Sequence, residues 1–300
     1  MKKILKAFSH INFERKRASL ESDWEQYTTN DEIISSDPIL MDSYDDLIDA
    51  VAQISFYNID YFVYFRGQSR EYLENNKTTI YSKFHRKGEF ARNYETLFEE
   101  LTLYEDKLIK QIKDDEKPTA GSSNFTDFRE FRWAIIQHYN RHPTPCLDIT
   151  HSLHVACSFA LREKKIDETG IIYLMGYSNY PKTISYSTDE KISITRLMGF
   201  GMPIARRPYL QQAFSICPFP FDDIINRKYR ERYNFSRRLL AKFEIKNTTS
   251  FWDNKFQIIP DEYLLPNTDI LDSNLLPPEI DMEAFWYLVS QDKDVDIKKP

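Results

Sequence analysis

Tyr61-Phe62-Val63-Tyr64-Phe65-Arg66-Gly67-Gln68 is the stretch on which the reading of this chain turns. The aromatic and β-branched run from Tyr61 to Phe65 suits a pleated, buried surface and reads as a core strand. Gly67 is the first residue to interrupt it, so the strand is expected to stop there and to leave Arg66 at its end. A charged fork at the end of a buried strand is a natural wall for a pocket with a dry floor.

Upstream, residues 1–60 carry charge-rich helical patterning and read as a support region. Ser43, with Asp46 three residues later, marks a helix start for a segment reaching Ile54. Downstream, Phe90, Tyr94, Leu97, Phe98, Leu101, Tyr104 and Leu108 have amphipathic spacing and predict a long helix over 88–114. Lys117-Pro118 and Gly121-Ser122-Ser123 break it, which predicts a loop near 115–123. Phe128, Phe131, Trp133, Ile135 and Ile136 predict a second helix over 125–139, closed off by Pro143 and Pro145. A short strand is expected at 146–150, a helix at 151–161 and the clearest strand of the chain at 170–176. Two further strands are expected at 212–217 and 240–245, and 291–300 reads as a frayed tail. The sum is an α+β protein: one domain over 61–290, with a central mixed or antiparallel sheet packed by helices.

Composition narrows the function classes. With 41% hydrophobic and 29% charged residues the chain is of the folding kind, and 15% aromatics supply large side chains for one sizeable core. A net charge of −6 gives no global attraction to a phosphate backbone, so nucleic acid could bind only a local basic patch. Only seven glycines occur, none of them in a P-loop, and Gly199-Phe200-Gly201 lacks the third glycine of a dinucleotide fingerprint and reads as a loop beside Pro203. Three scattered cysteines, Cys146, Cys157 and Cys217, do not make a disulfide framework and fit a reducing compartment. Lys6 interrupts the opening MKKILKAFSH before signal-peptide length is reached, and no apolar run is long enough to span a membrane. A cytoplasmic protein with no membrane partner is the expectation.

Four of the six histidines fall between His138 and His154, among Cys146, Asp148 and Cys157. His138 and His142 are one helical turn apart, as are His151 and His154, but prolines turn the chain between the pairs. Neither CxxC nor HExxH occurs, so no metal is expected, and without a GxSxG elbow a Ser-His-Asp hydrolase is disfavoured. Arg66 at a strand end, Gln137-His138 at a helix end, Pro143-Thr144 and the Leu147-Asp148-Ile149-Thr150 strand make a better constellation. Each also has a plain structural role: Arg66 as an ion pair with Asp148, Gln137 as a helix-end hydrogen bonder, Thr150 as the cap of the next helix.

In these segments the chain resembles the FRG domain family, named for a Phe-Arg-Gly signature that stands here as Phe65-Arg66-Gly67, with Gln68 following. The family's middle motif is matched by Gln137-His138, by Pro143 through Thr150, and by Ala156 with Phe159-Ala160. Arg207, Gln211 and Ala213 are similar to a later Arg and glutamine segment, and Leu275-Leu276-Pro277-Pro278 to a late Leu-Phe-Pro-Asp segment. Pro145 replaces the family's Arg, Ile149 its Trp and Ala213 its Gly, and one extra residue lies between His138 and Pro143, so the chain reads as a divergent member.

The resemblance implies a bacterial or phage-associated domain. More distantly, the order Arg66, Thr150, Gln211-Gln212 resembles the arginine-serine-glutamate ADP-ribosyltransferases. That likeness implies NAD as substrate, with Arg66, His138, Asp148, Thr150 and Gln211 as catalytic residues and Arg66, Gly67, Gln68, Thr144 and Thr150 as ligand contacts. A protein or nucleic acid would be the acceptor of the ADP-ribosyl group. Glutamine in place of the acid would stabilise an oxocarbenium ion poorly, so Asp148 must substitute or the nucleotide is bound without turnover. A non-catalytic nucleotide- or partner-binding module is the first alternative. The second is nucleic-acid engagement through Arg206-Arg207 and the stretch from Arg227 to Tyr233, whose tyrosines could stack on bases.

Overall fold

A computed structural model of the protein describes residues 6–8, 27–86, 94–114, 121–178, 183–200, 205–221, 227–253 and 255–266. Its strands are β1 (Lys6–Phe8), β2 (Tyr27–Thr29), β3 (Ile39–Met41), β4 (Phe62–Gln68), β5 (Leu73–Glu74), β6 (Lys77–Thr78), β7 (Leu147–Thr150), β8 (Thr169–Tyr177), β9 (Ile184–Ser187), β10 (Ile192–Arg196), β11 (Ala213–Pro218) and β12 (Leu239–Lys246). Its α-helices are α1 (Asn30–Ser35), α2 (Tyr44–Tyr57), α3 (Tyr94–Asp114), α4 (Ser122–Asp127), α5 (Arg129–His138), α6 (Leu153–Leu161), α7 (Arg206–Leu210) and α8 (Asp261–Leu264). Eight strands form one mixed sheet in the order β3-β12-β8-β4-β7-β11-β10-β9, parallel only where β3 joins β12. This is the expected α+β architecture, with β4 and β7 at its centre.

Local chemistry explains the elements that position the site. Ser43 caps α2 by accepting from the Asp46 amide at 3.1 Å, and Asp45 and Asp46 sit at the positive end of the helix dipole. The helix runs past Ile54 to Tyr57 and turns Leu47, Ala50 and Ile54 into the core. α3 buries Tyr94, Leu97, Leu101, Tyr104 and Leu108, the residues whose spacing predicts it; the expected start at 88 lies outside the described residues. One core packs α2 and α6 against β4, β8 and β12. The other packs α3 and α5 toward β7, β10 and β11 through Trp133, Ile136, Cys146 and Ala213.

Four expectations need correction. Residues 1–60 are more than helical, since their described part also supplies the β1–β2 pair and the edge strand β3. The helix expected over 125–139 is two helices, because Phe128 adopts extended backbone between α4 and α5. Arg132 stabilises that break: it donates to the Phe125 and Thr126 carbonyls at 2.5 and 3.3 Å, and to Glu105 of α3 at 2.8 Å. Strand β4 runs through Gly67 to Gln68 rather than ending before it. β11 starts after Gln212, whose φ of 45° places it in the turn. β9 and β10 were not foreseen. The Leu275–Pro278 motif, Gly201, Pro203 and the tail lie outside the described residues. Within them no helix is long and apolar enough to cross a membrane, and no group of three or more His, Cys, Asp or Glu could hold a metal ion.

Candidate functional site

The site begins where the sheet opens. β4 pairs with β8 over seven residues, from Phe62↔Tyr177 to Gln68↔Ile171, but with β7 only at Phe65↔Thr150. Beyond that pair the two strands part, leaving ladder acceptors that must find other donors. Arg66 answers one of them: its Nη1 donates to the Asp148 main-chain carbonyl at 2.6 Å, while its Nε donates to Gln68 Oε1 at 2.8 Å. The expected Arg66–Asp148 ion pair is therefore a bond to the backbone, and the carboxylate is left for another partner. Burial pushes the Arg66 pKa down to about 10, against the opposing pull of Asp148, so the fork remains charged at neutral pH.

The Asp148 carboxylate faces His138, with Oδ1 3.4 Å from Nδ1. His138 is almost wholly enclosed and its Nε2 has no hydrogen-bond partner in the structure. Thr150 does not cap α6. Ser152 does so, accepting from the Val155 amide at 3.2 Å, while Thr150 Oγ1 donates to the Gln211 carbonyl at 2.6 Å and accepts from the Ser152 amide at 3.0 Å. Gln211 in turn donates from Nε2 to the Leu264 carbonyl at 2.6 Å, which ties the turn before β11 to the chain's later segment. Both side chains thus hold main chain together beside the opening.

Gly67 is needed for packing. A Cβ there would come within 1.8 Å of the Ala156 carbonyl oxygen, so only glycine lets α6 lie this close to β4. The outcome is a cleft of about 220 Å³ between β4, β7 and α6, lined among others by Arg66, Gly67, His138, Asp148, Thr150 and Gln211. Two expected contacts stand outside it. Gln68 fixes the Arg66 fork, and Thr144 donates to Gln137 Oε1 at 3.1 Å and accepts from the Cys146 amide at 3.2 Å, locking the end of α5 to the start of β7. Val155 and Leu265 complete the lining and were missed. Val155 carries no signal beyond helical periodicity, and Leu265 reaches the cleft from a distant part of the chain.

The basic stretch behaves differently. Arg230 donates both Nη groups to Glu74 at 2.9 and 2.8 Å and lies 3.8 Å from the Tyr81 ring centroid, while Tyr233 is buried and stacked on His85 at 4.3 Å. These side chains are used within the fold.

Among known families, the FRG domain matches residues 62–169. It opens with β4, ends at the first residue of β8, and includes Arg66, His138, Asp148 and Thr150. No curated protein and no solved structure matches the chain.

Proposed function

Residues 62–169 are an FRG domain, and on that premise we propose that the cleft takes the nicotinamide-ribose end of NAD and cleaves the bond between them. The observation that carries this reading is the meeting of a cationic fork, Arg66, and a part-exposed carboxylate, Asp148, in one cleft. Arg66 has N–H groups beyond the two in use, enough to hold a phosphate oxygen pair. A cleft of about 220 Å³ is smaller than the roughly 300–1,000 Å³ that encloses drug-sized ligands, so it suits one end of a dinucleotide.

Heterolysis of the C1′–N bond leaves the electron pair on nicotinamide, which departs neutral, and positive charge grows on C1′ and the ring oxygen. The Asp148 carboxylate, 31% exposed, opposes that charge, an effect worth about 3–4 kcal/mol in comparable electrostatic sites. An O–H nucleophile, water or an acceptor hydroxyl, then bonds to C1′, and its proton passes to the Asp148–His138 pair. Thr150 and Gln211 act by positioning β7 and the turn before β11. Their engagement favours the second reading, recognition of a nucleotide without turnover.

The test is nicotinamide release from NAD by the full chain. Arg66→Ala and Asp148→Asn are each expected to lower release by about 100-fold or more, with the melting temperature of Asp148→Asn within a few degrees of wild type. NAD binding without release in the wild type would replace cleavage by recognition; absence of both would end the nucleotide reading.

A further inference from the structure

One wall of the cleft comes from chain far beyond the FRG match: Leu265 lines the cleft, whereas the match ends at residue 169. Leu265 is brought there by a segment that runs along α6. His154, Ser158 and Arg162 are spaced four residues apart, so they share one face of that helix and its C-terminal cap. Each binds the segment in turn. His154 Nε2 donates to the Gln257 carbonyl at 2.7 Å, Ser158 Oγ accepts from the Ile259 amide at 3.0 Å, and Arg162 Nε donates to the Asp261 carboxylate at 2.9 and 3.0 Å. Val155 and Phe159, on the adjoining face of α6, line the cleft. The segment therefore follows the rim of the opening. At its end α8 turns the chain, and Gln211 fastens it by donating to the Leu264 carbonyl at 2.6 Å.

The attachment is uneven. Gln211 and Leu264 are buried, but Gln257, Pro260, Asp261, Glu262 and Tyr263 are exposed. The side chains of the Arg162–Asp261 pair are 31% and 57% exposed, so solvent screens that tether and it holds weakly. Among the described residues the segment joins no sheet, and its main chain lacks the ladder that fixes β4 to β8. Few buried side chains, exposed bonds and no ladder characterise a part of a fold that opens locally while the rest stays closed. The one buried tether, the Gln211 bond, is made by a residue that itself lines the cleft.

We propose that Gln257–Leu265 is a strap that opens and closes at the rim of the cleft as one unit, with the Gln211–Leu264 bond as its latch and Leu265 as the residue that limits the size of what enters. Closed, the strap leaves the space of about 220 Å³. Open, it withdraws the Leu265 wall and widens the entrance from the α6 side. A ligand that fills the cleft meets both Gln211 and Leu265, so occupancy and strap position bias one another. The strap rests on these bonds and not on which ligand the cleft takes.

The test places a thiol on the cleft lining with Val155→Cys; the three native cysteines are buried, and the parent chain serves as the blank. Methyl methanethiosulfonate is the small probe and 4,4′-dithiodipyridine the bulky one, both uncharged. With the strap intact the small probe should react readily and the bulky one lag. Adding Gln211→Ala, Leu265→Ala or Arg162→Ala should speed the bulky probe by about tenfold or more. Arg162 is not among the residues lining the cleft, so its effect can reach the thiol only through the strap. A bulky-probe rate that ignores Gln211→Ala and Leu265→Ala overturns the gate, and one that ignores Arg162→Ala alone overturns motion as a unit. Amide exchange on the chain without Val155→Cys gives a reading that the engineered thiol cannot disturb. The Leu264 and Leu265 amides, bonded to the Pro260 and Asp261 carbonyls, should exchange about tenfold or more faster than those of α6, and faster still in Arg162→Ala. Protection equal to that of α6 overturns the strap as a moving part. Neither readout involves NAD, so a cleft that releases no nicotinamide would overturn cleavage and leave the strap standing.

Discussion

Along one edge β4 is tied to β8 through seven paired residues, and along the other it meets β7 at Phe65 and Thr150 alone. The tied side is close-packed: Gly67 lies under the α6 backbone and Tyr64 is fully enclosed. The open side replaces ladder bonds with side-chain bonds, from Arg66 to the Asp148 carbonyl and from Thr150 to the Gln211 carbonyl. The same strand thus serves as core on one margin and as the wall of a cleft on the other. A sheet that closes uniformly has no room for a ligand between its strands; a single missing stretch of ladder, bridged by a guanidinium, makes room and supplies charge.

If that contrast is right, the tied side should break hardest. Gly67→Ala drives a Cβ into main chain that cannot rotate away, and about 3 kcal/mol or more of stability should be lost in urea melts. Gly176→Ala is the companion, since its Cβ would meet the Leu240 side-chain methyl at 2.8 Å, which can shift; about 1 kcal/mol is expected. Equal costs would mean that the α6–β4 approach is looser than its geometry implies. On the open side, Arg66→Ala leaves the Asp148 carbonyl without its charged donor at a cost of about 2 kcal/mol, far less than its effect on nicotinamide release. A collapsed fold in Arg66→Ala would make the guanidinium a structural bridge first.

The local elements on both sides of β4 are the legible part. Aromatic and β-branched runs give strands, apolar residues at helical spacing give α3, and Ser43 with Asp46 gives a helix start, because each depends on neighbours a few residues away. The site residues Arg66, His138, Asp148, Thr150 and Gln211 were also legible as a set, through the family motifs, and all five line the cleft. Their bonds were not. That Arg66 reaches a carbonyl rather than the Asp148 carboxylate depends on where β7 parts from β4, and that Gly67 admits α6 instead of ending a strand depends on where α6 packs. The break at Phe128 depends likewise on Arg132 finding Glu105 across to α3. Long-range register decides each of these, and no local window contains it.

Two smaller effects probe the seam itself. Thr150→Val keeps the shape of the one residue that pairs β7 with β4 but deletes its bonds to Gln211 and Ser152, for a loss of about 1–2 kcal/mol and little change in the spectrum of the fold. The next residue, His151, stacks on Phe214 at 4.5 Å and lies 4.4 Å from the Tyr64 ring, so it fills the space between the separating strands. Burial, and secondarily the Arg196 charge, lower its pKa from 6.5 to about 4. Between those values the unfolded chain binds a proton that the fold refuses, so this contribution to stability is complete above pH 6.5 and is lost as pH falls toward 4. The melting temperature should drop by a few degrees more from pH 7 to pH 5 in the wild type than in His151→Phe, which keeps a ring in the seam but cannot titrate. An identical drop in both proteins would place the titrating group elsewhere and leave the seam indifferent to pH.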